Sequence, residues 1–411
     1  MIVEKHIVIE GNHQLKGELE VKGAKNAVLK QMVLPILAEG DYTLSNVPNI
    51  ADVLYMQEVL DVLGIKTELT DNKLHIHSPK DIGIEAPYEL VQKMRASIII
   101  LGPLLARKGE AKIAFPGGDE LGPRPVQMHL DALEKMGAYF TLDHGVLTGK
   151  SDGLKGVEIN LPYASVGATE NTLLAAVLAE GKTVIENAAR EPEIVDLGNC
   201  MIKAGAKISG LGDSKIIIGG VKSLNPISFS VIPDRIEAGS FAIAAAITKG
   251  EVNLNGIRYP DLETFLNKLK LTGTKVIYGQ NEVKIIGRDK LKSVNISTEP
   301  HPGFPTDLQA QFMSLMCLAE GKSIIKENIF ENRFQHVPEL KKMGARIMVV
   351  NNTASVMGLE SLKGANVKAT DLRASMSLII AALAAEGITN VFELEHLKRG
   401  YENIEDKLSN L

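Results

Sequence analysis

Three features of the chain predict an α/β protein of two domains, each built from three βαβ-type repeats. An alanine-rich apolar helix that stops at glycine and runs into an alternating strand recurs six times. Each of these units then carries a second helix, ended by a glycine in the first five. The third feature is size: 411 residues, 45% of them apolar, suffice for two large cores. The recurring phrase is LAEGDYTLSNV at Gly40, LARKGEAKIAF at Gly109, LAEGKTVIENA at Gly181, ITKGEVNLNGI at Gly250, LAEGKSIIKEN at Gly321 and AAEGITNVFEL at Gly387. The glycines stand 69, 72, 69, 71 and 66 residues apart, longer than the usual solenoid period and long enough for each unit to be a compact fold. Three repeats per globule leave a cleft between two domains.

The elements follow in order. MIVEKHIVIEG alternates as a strand does. The sixth unit ends at Leu411 on its second helix, so this N-terminal strand is expected to complete it. The first helix of each unit should take glycine as its C-cap, and the second should end at Gly64, Gly137, Gly205, Gly273 or Gly344. The second helices carry an apolar stripe, for example Val53, Met56, Leu60 and Leu63. The longest apolar run, ASIIILGPLLA, falls short of the roughly 18 residues that span a bilayer, and the N-terminus does not read as a signal peptide. A cytoplasmic protein is expected. A net charge of −5 gives no global attraction to nucleic acid or an anionic membrane, so neither is expected as a partner. Cys200 and Cys317 stand far apart among apolar neighbours and read as buried thiols, with no metal site.

Polar residues open all six apolar helices: Lys22, Lys25 and Asn26; Arg95 and Ser97; Ser165 and Thr169; Asp234 and Arg235; Thr306 and Asp307; Asp371 and Arg373. Capping accounts for the Ser, Thr and Asp residues. It does not account for Lys25, Arg95, Arg235 and Arg373, because a cation in the first turn opposes the helix dipole unless an anion meets it. A second set, Arg124, Arg190, Arg258, Arg333 and Arg399, precedes the other helix of five units. One loop arginine is usually a solvated charge, and Arg190 has Glu191 and Glu193 as candidate partners. Five at matching places suggest convergence on a small, multiply anionic ligand, since the guanidinium fork suits carboxylate and phosphate.

The motifs GAKNA, MRAS, GPRPV, SVGAT, ENAAREPEIVD, PDRIE, HPGFPTDLQAQF, ENRFQHVPEL, ATDLRAS and RGYENIEDKL, in this order along practically the whole chain, resemble the UDP-N-acetylglucosamine enolpyruvyl transferase family. The resemblance implies a two-domain inverted α/β barrel with its active site in the interdomain cleft. It divides the chain into residues 1–21 plus 232–411 and residues 22–231. The implied reaction moves the enolpyruvyl group of phosphoenolpyruvate to the sugar 3-hydroxyl of UDP-N-acetylglucosamine, at the first committed step of peptidoglycan synthesis. No metal or organic cofactor is implied, because the substrate carries its own reactive enol. The small-molecule substrates are the expected partners, and the chain is expected to be a monomer.

The same resemblance assigns roles. Lys25, Asn26, Arg124, Arg333, Arg373 and Arg399 are implied to bind phosphoenolpyruvate. Asn26, Arg95, Arg124, Pro125, Val126, Gln127, Met128, Tyr163, Ser165, Val166, Gly167, Asp307 and Ile329 are implied to meet the UDP-sugar. Lys25, Asp119, Asp307 and Arg399 are implied to be catalytic, with Asp307 reaching the 3-hydroxyl as general base. Asp307 also reads as a helix N-cap in PTDLQ, and both roles are compatible.

Most members carry cysteine where this chain has Asp119, in the loop FPGGDELGPRPVQMH. A free thiol titrates near pH 8.5, whereas a free aspartic acid, near 3.9, keeps its proton in only about one molecule in a thousand at neutral pH. Asp119 therefore needs desolvation and anionic neighbours to act as an acid, with Arg124 opposing them. Insensitivity to fosfomycin, which alkylates the cysteine, is a corollary. Gln127, Met128 and Tyr163 also depart from the family's common Asp, Leu and Lys, which bears on uracil recognition. Two rival readings are a shikimate-3-phosphate enolpyruvyl transferase, disfavoured by ENAAREPEIVD and ENRFQHVPEL, and a silent UDP-N-acetylglucosamine-binding paralogue, disfavoured by Lys25, Asp307 and Arg399.

Overall fold

The computed structural model describes residues 6–87, 89–90, 95–114 and 126–411, with the side chains of residues 95–97 excepted. These residues divide into two compact units, one formed by residues 6–22 and 233–411, the other by residues 23–114 and 126–232. Each unit has its own apolar core.

Every repeat places an apolar helix between two parallel strands, and the first five add an antiparallel hairpin. Glu85–Ala86 thus pairs in parallel with Glu110–Ala114 across the helix Leu101–Lys108. Val146–Lys150 and Tyr139–Asp143 then extend the sheet antiparallel. Glu158–Asn160 with Lys182–Glu186, Ile296–Ser297 with Lys322–Lys326, and Asn366–Lys368 with Ile388–Phe392 repeat the parallel pair. The sixth sheet has three strands, and Ile7–Glu10 completes it antiparallel to Ile388–Phe392, as the sequence predicts.

Two repeats obtain their outer strand from elsewhere in the chain. Lys16–Glu20 runs directly into the helix Lys25–Gln31, yet pairs with Glu251–Asn255, beyond the helix Arg235–Ile247. Ser228–Ser230 pairs instead with Gly40–Ser45. Each unit thereby closes its first repeat with a strand lying just before a chain crossing, at 22–23 or 232–233.

The apolar helices are buried almost all round, as a helix without a polar face must be. Ile236 to Ile247, Gln309 to Met316, and Arg373 to Leu383 are buried throughout. Val53, Met56 and Leu60 of the amphipathic helix Ala51–Val62, and its C-cap Leu63, are fully buried, in line with its stripe. That helix closes in a Schellman motif: Gly64 N donates to the Asp61 carbonyl and Ile65 N to that of Leu60, with Gly64 at φ 85°. Gly137, Gly205 and Gly344 repeat the pattern.

The first glycine set corrects the expectation. Only Gly109 caps its helix directly. At Gly181 and Gly387 the preceding glutamate forms a parallel bridge, Lys155 to Glu180 and Lys363 to Glu386, so glycine turns the chain from bridge into strand. At Gly250 the left-handed residue is Lys249, φ 56°, and glycine is required because a Cβ there would stand 2.2 Å from the Leu15 carbonyl oxygen. Cys200 and Cys317 are free and buried, which raises both thiol pKa values.

Candidate active site

In the unit of residues 6–22 and 233–411, three predicted residues meet. Asp307 lies in the short turn Thr306–Leu308; one carboxylate oxygen accepts from Arg333 Nη2 at 2.8 Å, the other from Arg373 Nη2 at 2.7 Å. The arginine side chains are only 4% and 6% exposed, whereas Asp307 is 22% exposed. Burial alone would raise the Asp307 pKa, but the charges of Arg373 and Arg333 hold it well below the usual carboxylate range. The N-cap reading fails: that cap position falls on Pro305, without a side-chain cap, and the carboxylate is committed to the guanidiniums. Asp371 is the cap of its own helix, accepting from the N–H groups of Arg373 and Ala374 at 2.7 and 3.0 Å. Arg373 also donates to Tyr401 Oη at 3.4 Å, and that hydroxyl lies 2.8 Å from Ser240 Oγ. Arg399 caps the helix Glu395–Lys398, two residues before Tyr401.

In the other unit, the helix Val166–Ala176 ties the predicted residues together. Ser165 caps it by accepting from Ala168 N at 3.3 Å. Asn171 is oriented by the Gly102 N–H, which donates to its Oδ1 at 2.7 Å; its Nδ2 then donates to His129 Nδ1 at 3.1 Å. The His129 proton therefore sits on Nε2, and burial lowers the ring's pKa to about 4. A Cβ at Gly167 would come within 3.0 Å of that ring, so glycine lets the segment 126–129 approach 165–167. Met128 is buried, and Gln127 turns its amide to Asp131 at 2.7 Å. Tyr163 is exposed.

The same helix carries Glu170, whose carboxylate lies 3.4 Å from Lys30 Nζ. Burial lifts its pKa to about 7 against the pull of Lys30. Lys30 belongs to the helix that Lys25 and Asn26 begin, and it donates to the Asn26 carbonyl at 3.0 Å. Lys25 Nζ pairs with Asp52 at 2.8 Å, in the first turn of Ala51–Val62.

Residues 9–408 match the family described as EPSP synthase (3-phosphoshikimate 1-carboxyvinyltransferase). The chain belongs to this enolpyruvyl transferase family. Within it, the chain is 50% identical over 405 residues to the UDP-N-acetylglucosamine 1-carboxyvinyltransferase of Geotalea uraniireducens (strain Rf4), covering 98% of this chain and 97% of that relative. The protein of the same name from Zymomonas mobilis subsp. mobilis is also 50% identical, over 413 residues, with the same coverage of each chain. Among solved structures, the enolpyruvyl transferase NikO from Streptomyces tendae aligns with a TM-score of 0.90 and 25% identity over 99% of this chain and 97% of that one.

For an enolpyruvyl transferase the cations at helix starts acquire a revised explanation. Lys25 and Arg373, which by sequence called for an external anion, already face Asp52 and Asp307. Within their units the loop arginines make different contacts: Arg333 is buried on Asp307, Arg258 pairs with Asp261 at 3.3 Å, and Arg190 is exposed. Ile329 is partly exposed in the loop after Lys322–Lys326, and Val126 precedes the helix Gln127–Lys135. Asp119, Arg124 and Pro125 lie outside the described residues, and the Arg95 side chain is likewise outside them. Sequence reasoning missed Asp52, Ser240, Gln311 and Tyr401. Tyr401 and Gln311, whose Nε2 donates to the Asp307 carbonyl at 2.9 Å, had a signal in their places in RGYENIEDKL and HPGFPTDLQAQF; Ser240 sits among apolar residues and had none.

Proposed function

We propose that this chain catalyses transfer of the enolpyruvyl group from phosphoenolpyruvate to the 3-hydroxyl of UDP-N-acetylglucosamine, with release of phosphate. The identity of about half the residues to full-length relatives bearing that activity's name supports the acceptor. The observation that carries the chemistry is Asp307 held between two buried arginines. We place the reaction in the cytoplasm, as the first committed step of peptidoglycan synthesis.

The roles divide as follows. Arg333, Arg373, Arg399, Lys25 and Arg124 hold the carboxylate and phosphate of phosphoenolpyruvate and stabilise the charge of the tetrahedral adduct. Residues 124–128, 163–167, Asn26, Arg95 and Ile329 take the UDP-sugar. Asp307 removes the proton of the 3-hydroxyl as its oxygen bonds to C2, while Asp119 delivers a proton to C3. In the second step the C3 proton leaves, the double bond re-forms and the C–O bond to phosphate breaks. Paired with both guanidiniums, Asp307 is a weak base. Substrate anions that compete for Arg333 and Arg373 remove the charges that depress its pKa, so binding strengthens the base.

Phosphate release assayed with UDP-N-acetylglucosamine and, separately, shikimate 3-phosphate tests the reading. Turnover with the first acceptor alone is expected, and Asp119→Asn should lower kcat by about 100-fold or more. Fosfomycin should leave the enzyme active, because a carboxylate is a poor soft nucleophile towards the epoxide. Binding of UDP-N-acetylglucosamine without turnover would instead identify a silent paralogue.

A further inference from the structure

We infer that Glu327 is a positioning residue for Asp307 and for the sugar-facing loop, a role that rests on the reaction proposed above. Glu327 follows the strand Lys322–Lys326 and is 2% exposed. Its Oε1 accepts from Thr298 Oγ1 at 2.9 Å, Thr306 Oγ1 at 3.0 Å, Ile329 N at 2.9 Å and Phe330 N at 3.2 Å. Oε2 accepts from Thr306 as well, at 3.0 Å. One buried carboxylate therefore gathers the donors of three separate segments.

Two routes lead from it to the base. Thr306 is the neighbour of Asp307 in the turn Thr306–Leu308, so its tether fixes where that turn presents the carboxylate. Phe330 lies beneath the Arg333 guanidinium, 5.0 Å from ring centroid to Cζ, and Arg333 holds Asp307 from one side. The N–H bonds to Ile329 and Phe330 shape the loop that carries the acceptor contact Ile329. Thr298 lies off both routes to Asp307: its hydroxyl also accepts from Asn328 N at 2.9 Å, at the start of the loop that carries Ile329. Glu327 itself acts through Thr306 and Phe330 and touches no reacting atom.

The threonines allow a matched test in the full chain. Thr306→Val and Thr298→Val are near-isosteric, and each removes one hydroxyl that donates to the same carboxylate. If the hub positions the base, Thr306→Val lowers kcat about ten-fold or more, whereas Thr298→Val, which also strands the Asn328 N–H and so loses more thermal stability, changes it less than about three-fold. Glu327→Asp, one methylene too short to reach all donors, should lower kcat and raise the KM for UDP-N-acetylglucosamine; Glu327→Gln, which keeps the acceptor oxygen, should restore most of kcat. Equal kcat in the two threonine variants, or a Glu327→Asp enzyme that melts earlier but keeps its kcat, would overturn the inference. Crystal structures of the threonine variants give a readout independent of the acceptor. Should the native enzyme prove silent with UDP-N-acetylglucosamine, displacement of the Asp307 carboxylate from Arg333 in Thr306→Val alone would support the positioning role, and an unmoved carboxylate would refute it.

Discussion

Asp307 concentrates the chemistry of one unit, and its environment sets measurable consequences. Replacing it with asparagine should reduce kcat by about 100- to 1,000-fold, the loss expected for a general base. The same change leaves two buried guanidiniums without their counter-charge, which should cost about 3 kcal/mol at neutral pH. Because the folded-state pKa of Asp307 lies below its unfolded value, this stabilisation is present above about pH 4 and fades as pH falls further. Denaturant unfolding of both proteins at pH 7 and pH 3 checks it: a difference that does not shrink in acid would contradict the ion pairing. At this scale the sequence was partly legible. Asp307, Arg333 and Arg373 were each singled out by their places in the repeats and given roles by resemblance, yet nothing in their spacing said that one carboxylate would bridge the two arginines, 26 and 66 residues away.

Glycines separate backbone demands from packing demands at the level of the elements. Gly64 has φ 85° and open space where a Cβ would go, so Gly64→Ala should cost about 1 kcal/mol, from the left-handed backbone alone. Gly102 lies within the helix Leu101–Lys108, where a Cβ would meet the Asn171 side-chain and backbone oxygens at 2.4 and 2.5 Å. Gly102→Ala should cost more, about 1–3 kcal/mol, and disturb the Asn171 to His129 bond as well. Thermal melts of the two variants decide the order. The helices and hairpins were legible because period and glycine placement are local signals. The partners of the exchanged strands Lys16–Glu20 and Ser228–Ser230 were not, since pairing with Glu251–Asn255 and Gly40–Ser45 joins stretches about 235 and 185 residues apart.

Over the whole molecule, buried titratable groups give each unit its own acid response. Burial takes His129 in one unit and His336 in the other down to about 4, in the latter case against the pull of Asp371. The unfolded chain binds these protons near pH 6.5, so each histidine withdraws up to about 3 kcal/mol of stability as pH falls from 6.5 to 4. Glu170 works in the opposite sense: its pKa is raised to about 7, so its contribution is complete below about pH 4.3 and is lost as pH rises through 7. Unfolding free energies measured between pH 4 and 8 should show a shallower acid loss in His129→Gln and His336→Gln. The native protein's advantage over Glu170→Gln should fall across the same interval as pH rises. Parallel curves for all the variants would refute these assignments.

The sequence by itself determined the α/β class, the six-fold repeat, the helix ends at Gly64, Gly137, Gly205 and Gly344, the joining of the N-terminal strand to the last repeat, and the family. These are matters of periodicity, backbone conformation and motif order, which a linear chain records directly. Only the tertiary structure decided which strands were exchanged, that Asp52 and Asp307 meet the cations at the helix starts, and that Glu170, Asn171 and Glu327 tie separate segments together. Charges and hydrogen bonds between distant residues depend on ångström-scale approach, and that approach is set by packing the apolar helices into a core rather than by anything written locally along the chain.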